Sequence, residues 1–188
     1  MKLLLYCTKS RKQLFFDKIK HIFMFGLNGK KDKFNSLNGK IVAECDFEVE
    51  EIEPYKHWTC EDDYNIHYDT NKLHYDELLE KSCLNNQELD DYLDGWYGYA
   101  IHIKNLHIFD EPRELSDYYT RPKKMNTFDG YSYTSISLDK APQNMMYCCD
   151  EKEKDYILIS IQPQWLCKIL NGEKTIEIRK KILKEMLK

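Results

Sequence analysis

Long apolar runs are missing from this chain. No stretch approaches the roughly eighteen residues a membrane-spanning helix requires, so no span and no membrane partner is expected. The segment Met1-Lys-Leu-Leu-Leu-Tyr-Cys-Thr-Lys9 is apolar only briefly and has no small-residue cleavage site, so it reads as a strand rather than a signal peptide. Regular cysteine spacing is missing too. The seven cysteines, at positions 7, 45, 60, 83, 148, 149 and 167, form no framework. Without a secretory signal, the expectation is reduced thiols in a cytoplasmic protein. The adjacent pair Cys148-Cys149 reads as ordinary strand or loop residues, with a redox pair as the alternative. The signatures Gly-x-x-x-x-Gly-Lys-Ser/Thr, Gly-x-Gly-x-x-Gly and Gly-x-Ser-x-Gly do not occur, so no cofactor is called for. His57-Trp-Thr-Cys60, with His67 and His74, supplies zinc-ligand types. No second close pair follows at a finger-like spacing, so no metal is expected. Internal repeats and low-complexity tracts are also lacking.

What is present is a core. Hydrophobic residues make up 42% of 188 residues, and fourteen tyrosines, eight phenylalanines and three tryptophans are too many for a disordered chain. The length suits one domain, residues 1–188, with room for an insertion. Charge is segregated: net +8 over residues 1–40, −16 over 41–165 and +4 over 166–188. If the fold brings the basic ends together, they make a face suited to a polyanion such as RNA; a solvated lysine-rich surface is the plain alternative.

Leu3–Thr8 reads as a buried strand. Ile41–Ile52 alternates clearly, with Ile41, Ala43, Cys45, Phe47 and Val49 on one face, and Pro54 closes it. A short helix is expected around Leu73–Lys81. A second follows Asn85, whose cap pairs with Glu88, and stops at Gly95. Tyr97–Ile103 and Leu106–Phe109 read as strands, the latter ended by Asp110-Glu-Pro112. Residues 116–140 read as a long loop. Ala141–Cys149 re-enters structure, and Ile182, Leu183, Met186 and Leu187 suggest a terminal helix. Many short strands with a few peripheral helices point to an α+β fold built on a small curved or barrel-like mixed sheet.

The most informative segment is near the C-terminus. Tyr156–Ile161 is a strand, and Pro163 starts a helix whose apolar stripe is Trp165, Leu166, Ile169 and Leu170. Gly172 can take the left-handed conformation that ends it. In the strand beyond, Ile176 and Ile178 face the core and Thr175, Glu177 and Arg179 share the other face. Ser160-Ile-Gln-Pro163 … Lys168-Ile-Leu-Asn-Gly172-Glu-Lys174-Thr-Ile-Glu177-Ile-Arg179 resembles the opening motif of the ASCH family, in the PUA-like superfamily, with its pattern Gly-x-Lys-x-x-Glu-x-Arg. Leu4–Lys9, Gly39–Ile52 and Gly98–Pro112 are similar to strands that follow the motif in that family. There the motif lies near the N-terminus; here it comes last, as in a circular permutation.

The resemblance implies a small PUA-like β-barrel with a cleft beside the Gly172-Glu173-Lys174 turn that binds RNA or a modified nucleobase. Some small family members resemble hydrolases of acetylated cytidine using a lysine, a threonine and a glutamate. Lys174 matches the lysine, but the threonine position falls on Glu177, and a carboxylate does not replace a hydroxyl nucleophile. Lys174, Thr175, Glu177 and Arg179 are therefore the first ligand-binding candidates, Arg179 as a planar fork for phosphate or a base. The alternative is a salt bridge on a solvated strand. Tyr6, Thr8 and Lys9 join them if the first strand lies beside the motif. Gln143 and Asn144 line the same cleft or form an ordinary turn. Trp165 stacks a base or packs in the core. The expected function is RNA or nucleotide binding. A hydrolase or nuclease on a modified nucleoside or RNA, using Lys174 and Glu177, is the alternative. A phage-type protein-interaction factor acting through the acidic middle is the third reading.

Overall fold

The computed structural model describes residues 2–8, 37, 39–55, 57–60, 63–68, 73–94, 97–120 and 135–183, with backbone only at 55, 57–60 and 63–68. In chain order the elements are β1 (Lys2–Cys7), β2 (Ile41–Asp46), β3 (Glu53–Tyr55), β4 (His57–Cys60), β5 (Asp63–Tyr68), α1 (Tyr75–Ser82) and α2 (Asn86–Leu93). There follow β6 (Gly98–His102), β7 (Lys104–Arg113), β8 (Tyr119–Thr120), β9 (Met145–Cys149), β10 (Asp155–Ile161), α3 (Pro163–Leu170) and β11 (Ile176–Arg179). The fold is α+β. None of its described helices is long and apolar enough to cross a membrane.

Six strands form one sheet in the order β7-β2-β1-β10-β9-β8. The central pair, β1 and β10, is parallel, with Leu3 opposite Ile157 and Leu5 opposite Ile159. Both strands are apolar at nearly every position because both sheet faces are covered, as parallel pairing usually requires. Leu3, Leu5, Cys7, Ile157, Ile159 and Ile161 pack under α3, against Leu166, Ile169 and Leu170. Leu4, Tyr6, Tyr156 and Leu158 face the other way, with Phe109, Leu115 and Tyr118. In β2 the expected alternation breaks. Ala43 and Cys45 join the α3 side, but Ile41 turns to the opposite core. An irregularity in the pairing with β7 falls between Ile41 and Ala43, and one extra residue moves every side chain before it to the other face.

A second sheet has the order β11-β6-β3, and β4 and β5 pair as a hairpin. Helices α1 and α2 cover one face of this small sheet, with Leu78, Leu89 and Leu93 against Ala100, Ile176 and Ile178. The two sheets are joined covalently at Ile103, whose N–H bonds to the Thr175 carbonyl at 2.9 Å. The barrel expectation is corrected here: the described strands form open sheets. Both edges of β6 are taken, by β11 and β3, while β7 pairs with β2. No described strand bridges the remaining edges.

Prolines are the second correction. Pro112 lies inside β7 and Pro54 inside β3 rather than ending strands. Both strands lie at sheet edges, where a missing N–H breaks no ladder. The helix expectations near 73–81 and 85–95 correspond to α1 and α2. Asn85 and Glu88 form the reciprocal capping box, and Asp94 itself takes the left-handed stop at φ 54°. The span 116–140 is structured at both ends: Leu115–Asp117 is a 3-10 turn, β8 pairs with β9, and Ser137 bridges to Tyr119. Its centre, 121–134, lies outside the described residues. Ile182 and Leu183 are not helical, and the rest of the expected terminal helix lies outside the described residues.

Candidate functional site

The turn between α3 and β11 is fixed by the sequence. After Leu170, Asn171 caps the helix and Gly172 takes φ +74°. The Gly172 N–H bonds to the Ile169 carbonyl at 2.9 Å and the Glu173 N–H to the Lys168 carbonyl at 2.9 Å. These two bonds make a Schellman stop. The Lys174 N–H also reaches the Lys168 carbonyl, at 3.1 Å. The chain is thereby turned so that Lys174 points inward while Gly172, Glu173 and Thr175 stay exposed.

Lys174 meets the C-terminus of α1. Its ammonium donates to the Ser82 carbonyl at 2.7 Å, the Lys168 ammonium to the Cys83 carbonyl at 3.3 Å, and the Thr175 N–H to the Lys81 carbonyl at 2.9 Å. Three consecutive carbonyls at a negative helix end thus receive two cations and an amide. Both ammoniums also lie near the half-buried Trp165 ring, at 4.9 Å for Lys168 and 5.4 Å for Lys174, within cation–π range.

Glu177 and Arg179 extend this cluster along β11. Glu177 Oε2 is 3.4 Å from the Lys174 ammonium, and Glu177 Oε1 accepts from Arg179 Nη2 at 2.9 Å. Arg179 Nη2 donates to the Ser160 carbonyl at 2.6 Å, and Nη1 reaches Asn144 Oδ1 at 3.4 Å. The Asn144 amide in turn donates to the Lys181 carbonyl at 2.5 Å. Arg179 Nε is buried without a hydrogen-bond partner. The sequence pattern put Glu177 and Arg179 on the strand face away from the core, lining a cleft or, as the alternative, paired on a solvated strand. They are instead buried, at 8% exposure each, and Lys174 at 3%. The reason is that β11 has a core on both sides: Ile176 and Ile178 face α1 and α2, while Glu177 lies opposite Ile101, which belongs to the α3-side core.

The electrostatics follow from this burial. Desolvation pulls Lys174 below its ordinary 10.5, and the Glu177 carboxylate opposes that pull. The three side chains carry net +1 in an environment that strengthens any unshielded charge. Tyr92, on α2, borders the cluster. Tyr92 keeps 39% exposure; partial burial raises its phenol, and the charges of Arg179 and Glu177 act on it in opposite directions. The Lys180 ammonium lies 5.7 Å from the Tyr92 ring centre.

Of the residues picked from sequence, Lys174, Glu177, Arg179 and Asn144 are brought together. Gln143 is exposed next to Asn144, and Thr175 is exposed beside the turn. Tyr6 is not part of the group. The strand beside β1 is β10, not β11, and Tyr6 is buried in the core on the face away from α3. The Thr8 N–H bonds to the Ile161 carbonyl at 3.0 Å, continuing the β1–β10 ladder, and Lys9 lies outside the described residues. Among the described residues, no group of three His, Cys, Asp or Glu is placed to hold a metal. Sequence reasoning missed the Ser82, Cys83 and Ser160 carbonyls, which leave no trace in residue type. It also missed Tyr92, whose helical position predicts only a polar face. No family model, curated protein or solved structure matches the chain.

Proposed function

We propose that this chain is a non-enzymatic RNA- or nucleotide-binding module of the ASCH type, a circularly permuted PUA-like domain. Its cleft lies beside the Gly172-Glu173-Lys174 turn. The observation that carries the reading is the linked Lys174–Glu177–Arg179 triad, buried with net positive charge and an unpartnered Arg179 Nε, with the Trp165 ring 5.4 Å from the Lys174 ammonium. Burying three charges is expensive, and apolar residues of equal volume are often at least as stable. A ligand that uses the unfilled donors gives the triad a purpose that packing does not. The exposed Lys180 and Lys181 follow the buried Arg179 and put two further cations on the surface, where a phosphate backbone is met. The permutation is supported by the position of β1, hydrogen-bonded alongside the strand that leads into the motif helix.

The test is fluorescence anisotropy of labelled single-stranded RNA with the full chain at low and moderate salt. Binding that weakens steeply with salt, and is lost when both Lys180 and Lys181 become glutamate, supports the reading. Lack of binding to RNA and to every mononucleotide at low salt ends it.

One observation favours the hydrolase alternative: Lys174 is desolvated and touches a carboxylate, the setting in which lysines serve as acid–base groups. Incubation with acetylated cytidine and with RNA, followed by mass spectrometry, separates the two. A product formed by the native chain but not by Lys174→Met would replace binding with catalysis.

A further inference from the structure

We propose that the site reads the Watson–Crick edge of guanine, so that its ligand is a guanine nucleotide, free or within RNA. The proposal rests on the nucleotide-binding reading above and deepens it. It follows from counting which hydrogen-bonding positions the triad leaves unfilled.

A lysine ammonium has three donors, a guanidinium five, and a carboxylate about four acceptor positions. Lys174 uses one donor on Ser82 and directs one at Glu177. Arg179 Nη2 uses both of its donors, on Ser160 and Glu177, and Nη1 uses one on Asn144. The Nε–H is buried with no partner. On Glu177 each oxygen meets one cation, Oε1 the guanidinium and Oε2 the ammonium, and each keeps a further lone pair. Among the described residues, the unfilled set is therefore two adjacent acceptors on one carboxylate, flanked on both sides by cationic donors.

Only one standard base complements that set. Guanine presents two adjacent donors, N1–H and the N2 amine, next to the O6 carbonyl. The two donors match the two carboxylate oxygens, and O6 faces a cation. Adenine and cytosine each offer one amino donor beside ring acceptors, and uracil offers a single N–H between two carbonyls. Each would leave a Glu177 oxygen facing an acceptor or nothing, which is costly at a buried site. The Trp165 ring centre lies 5.4 Å from the Lys174 ammonium, and a base that displaces the ammonium from its ring would stack there. Lys180 and Lys181 supply exposed charge for its phosphate.

The experiment is calorimetric titration of the native full chain with GMP, IMP, AMP, CMP and UMP. IMP differs from GMP only in lacking the N2 amine. GMP is expected to bind about 5- to 150-fold tighter than IMP, the range that one good bidentate pair discriminates, and AMP, CMP and UMP weaker than GMP. Glu177→Gln, checked for folding by thermal melting, removes one acceptor and should erase the GMP-over-IMP preference. The double change of Lys180 and Lys181 to alanine should weaken GMP while leaving guanosine unchanged. Equal binding of GMP, IMP and AMP overturns the guanine assignment but leaves nucleotide binding standing. Failure of every mononucleotide and of RNA overturns both. If Glu177→Gln does not fold, the native GMP and IMP titrations alone decide.

Discussion

Replacing Glu177 by alanine measures how strongly the buried triad depends on its carboxylate. The substitution removes the carboxylate that, among the described residues, faces the Lys174 ammonium at 3.4 Å and the Arg179 guanidinium at 2.9 Å. Two buried cations are left without a counter-charge. Breaking a buried pair in this way costs about 3–5 kcal/mol, a large part of a total stability of about 5–15 kcal/mol. Relief comes through Lys174. Its proton affinity is already lowered by burial, and Glu177 is the main group opposing that; without Glu177 it falls further. Between the folded value and the ordinary 10.5, the unfolded chain binds a proton that the folded chain has released. Stability therefore rises with pH in that window, by up to about 1.4 kcal/mol per pH unit. Urea melts of both proteins at several pH values below the ordinary 10.5 should show the deficit of the variant shrinking as pH rises. Adding Lys174→Met should recover part of the loss and flatten the pH dependence. A deficit under about 1 kcal/mol with no pH slope would mean that water reaches the triad and that its charges are not buried.

Three further outcomes follow from packing and titration. Gly98→Ala should destabilise by about 1–3 kcal/mol in urea melts, because a Cβ there would sit 2.6 Å from Leu93 Cδ2 in a packed cluster; no change would show that Leu93 has room to move. Gly172→Ala meets no atom within 4 Å, so its cost should be backbone strain alone, about 1–2 kcal/mol at φ +74°, and a neutral result would locate the stop elsewhere. Burial pushes Cys7 to about 11, and Cys45 and Cys148 to about 12, from 9.0. Their contribution is complete below pH 9.0 and is lost as pH climbs toward those values, at about 1.4 kcal/mol per thiol per pH unit. Circular dichroism should show unfolding between about pH 10 and 11, and a chain still folded above that range would contradict the thiol burial.

The strand–helix–strand unit was legible because each of its signals is local: a proline at the helix start, an apolar stripe, a glycine that must turn left-handed, and alternation after it. The capping box at Asn85 and Glu88 was legible for the same reason. Burial of Glu177 and Arg179 was not, because alternation tells which side chains share a face but not whether a second layer covers it. The pairing of β1 with β10 rather than β11 was equally hidden, since partner choice among apolar strands depends on distant packing. Pro54 and Pro112 misled because a proline says nothing of whether its strand lies at an edge. Tyr6 shows the same limit: its strand was placed correctly, but its face was decided by a neighbour far along the chain.

The parallel pairing of β1 with β10 sets a timetable for the newborn polypeptide. Leu3, Leu4 and Leu5 meet Cys45, Glu44 and Ala43 of β2 on one edge soon after synthesis, but their other edge is filled by Ile157, Leu158 and Ile159. At translation speeds of about 5–20 residues per second, that second edge of the greasy strand stays open for roughly ten seconds or more before β10 leaves the ribosome. During that interval it is a ready substrate for chaperones, and a slow synonymous codon placed before the β10 coding region would lengthen its exposure.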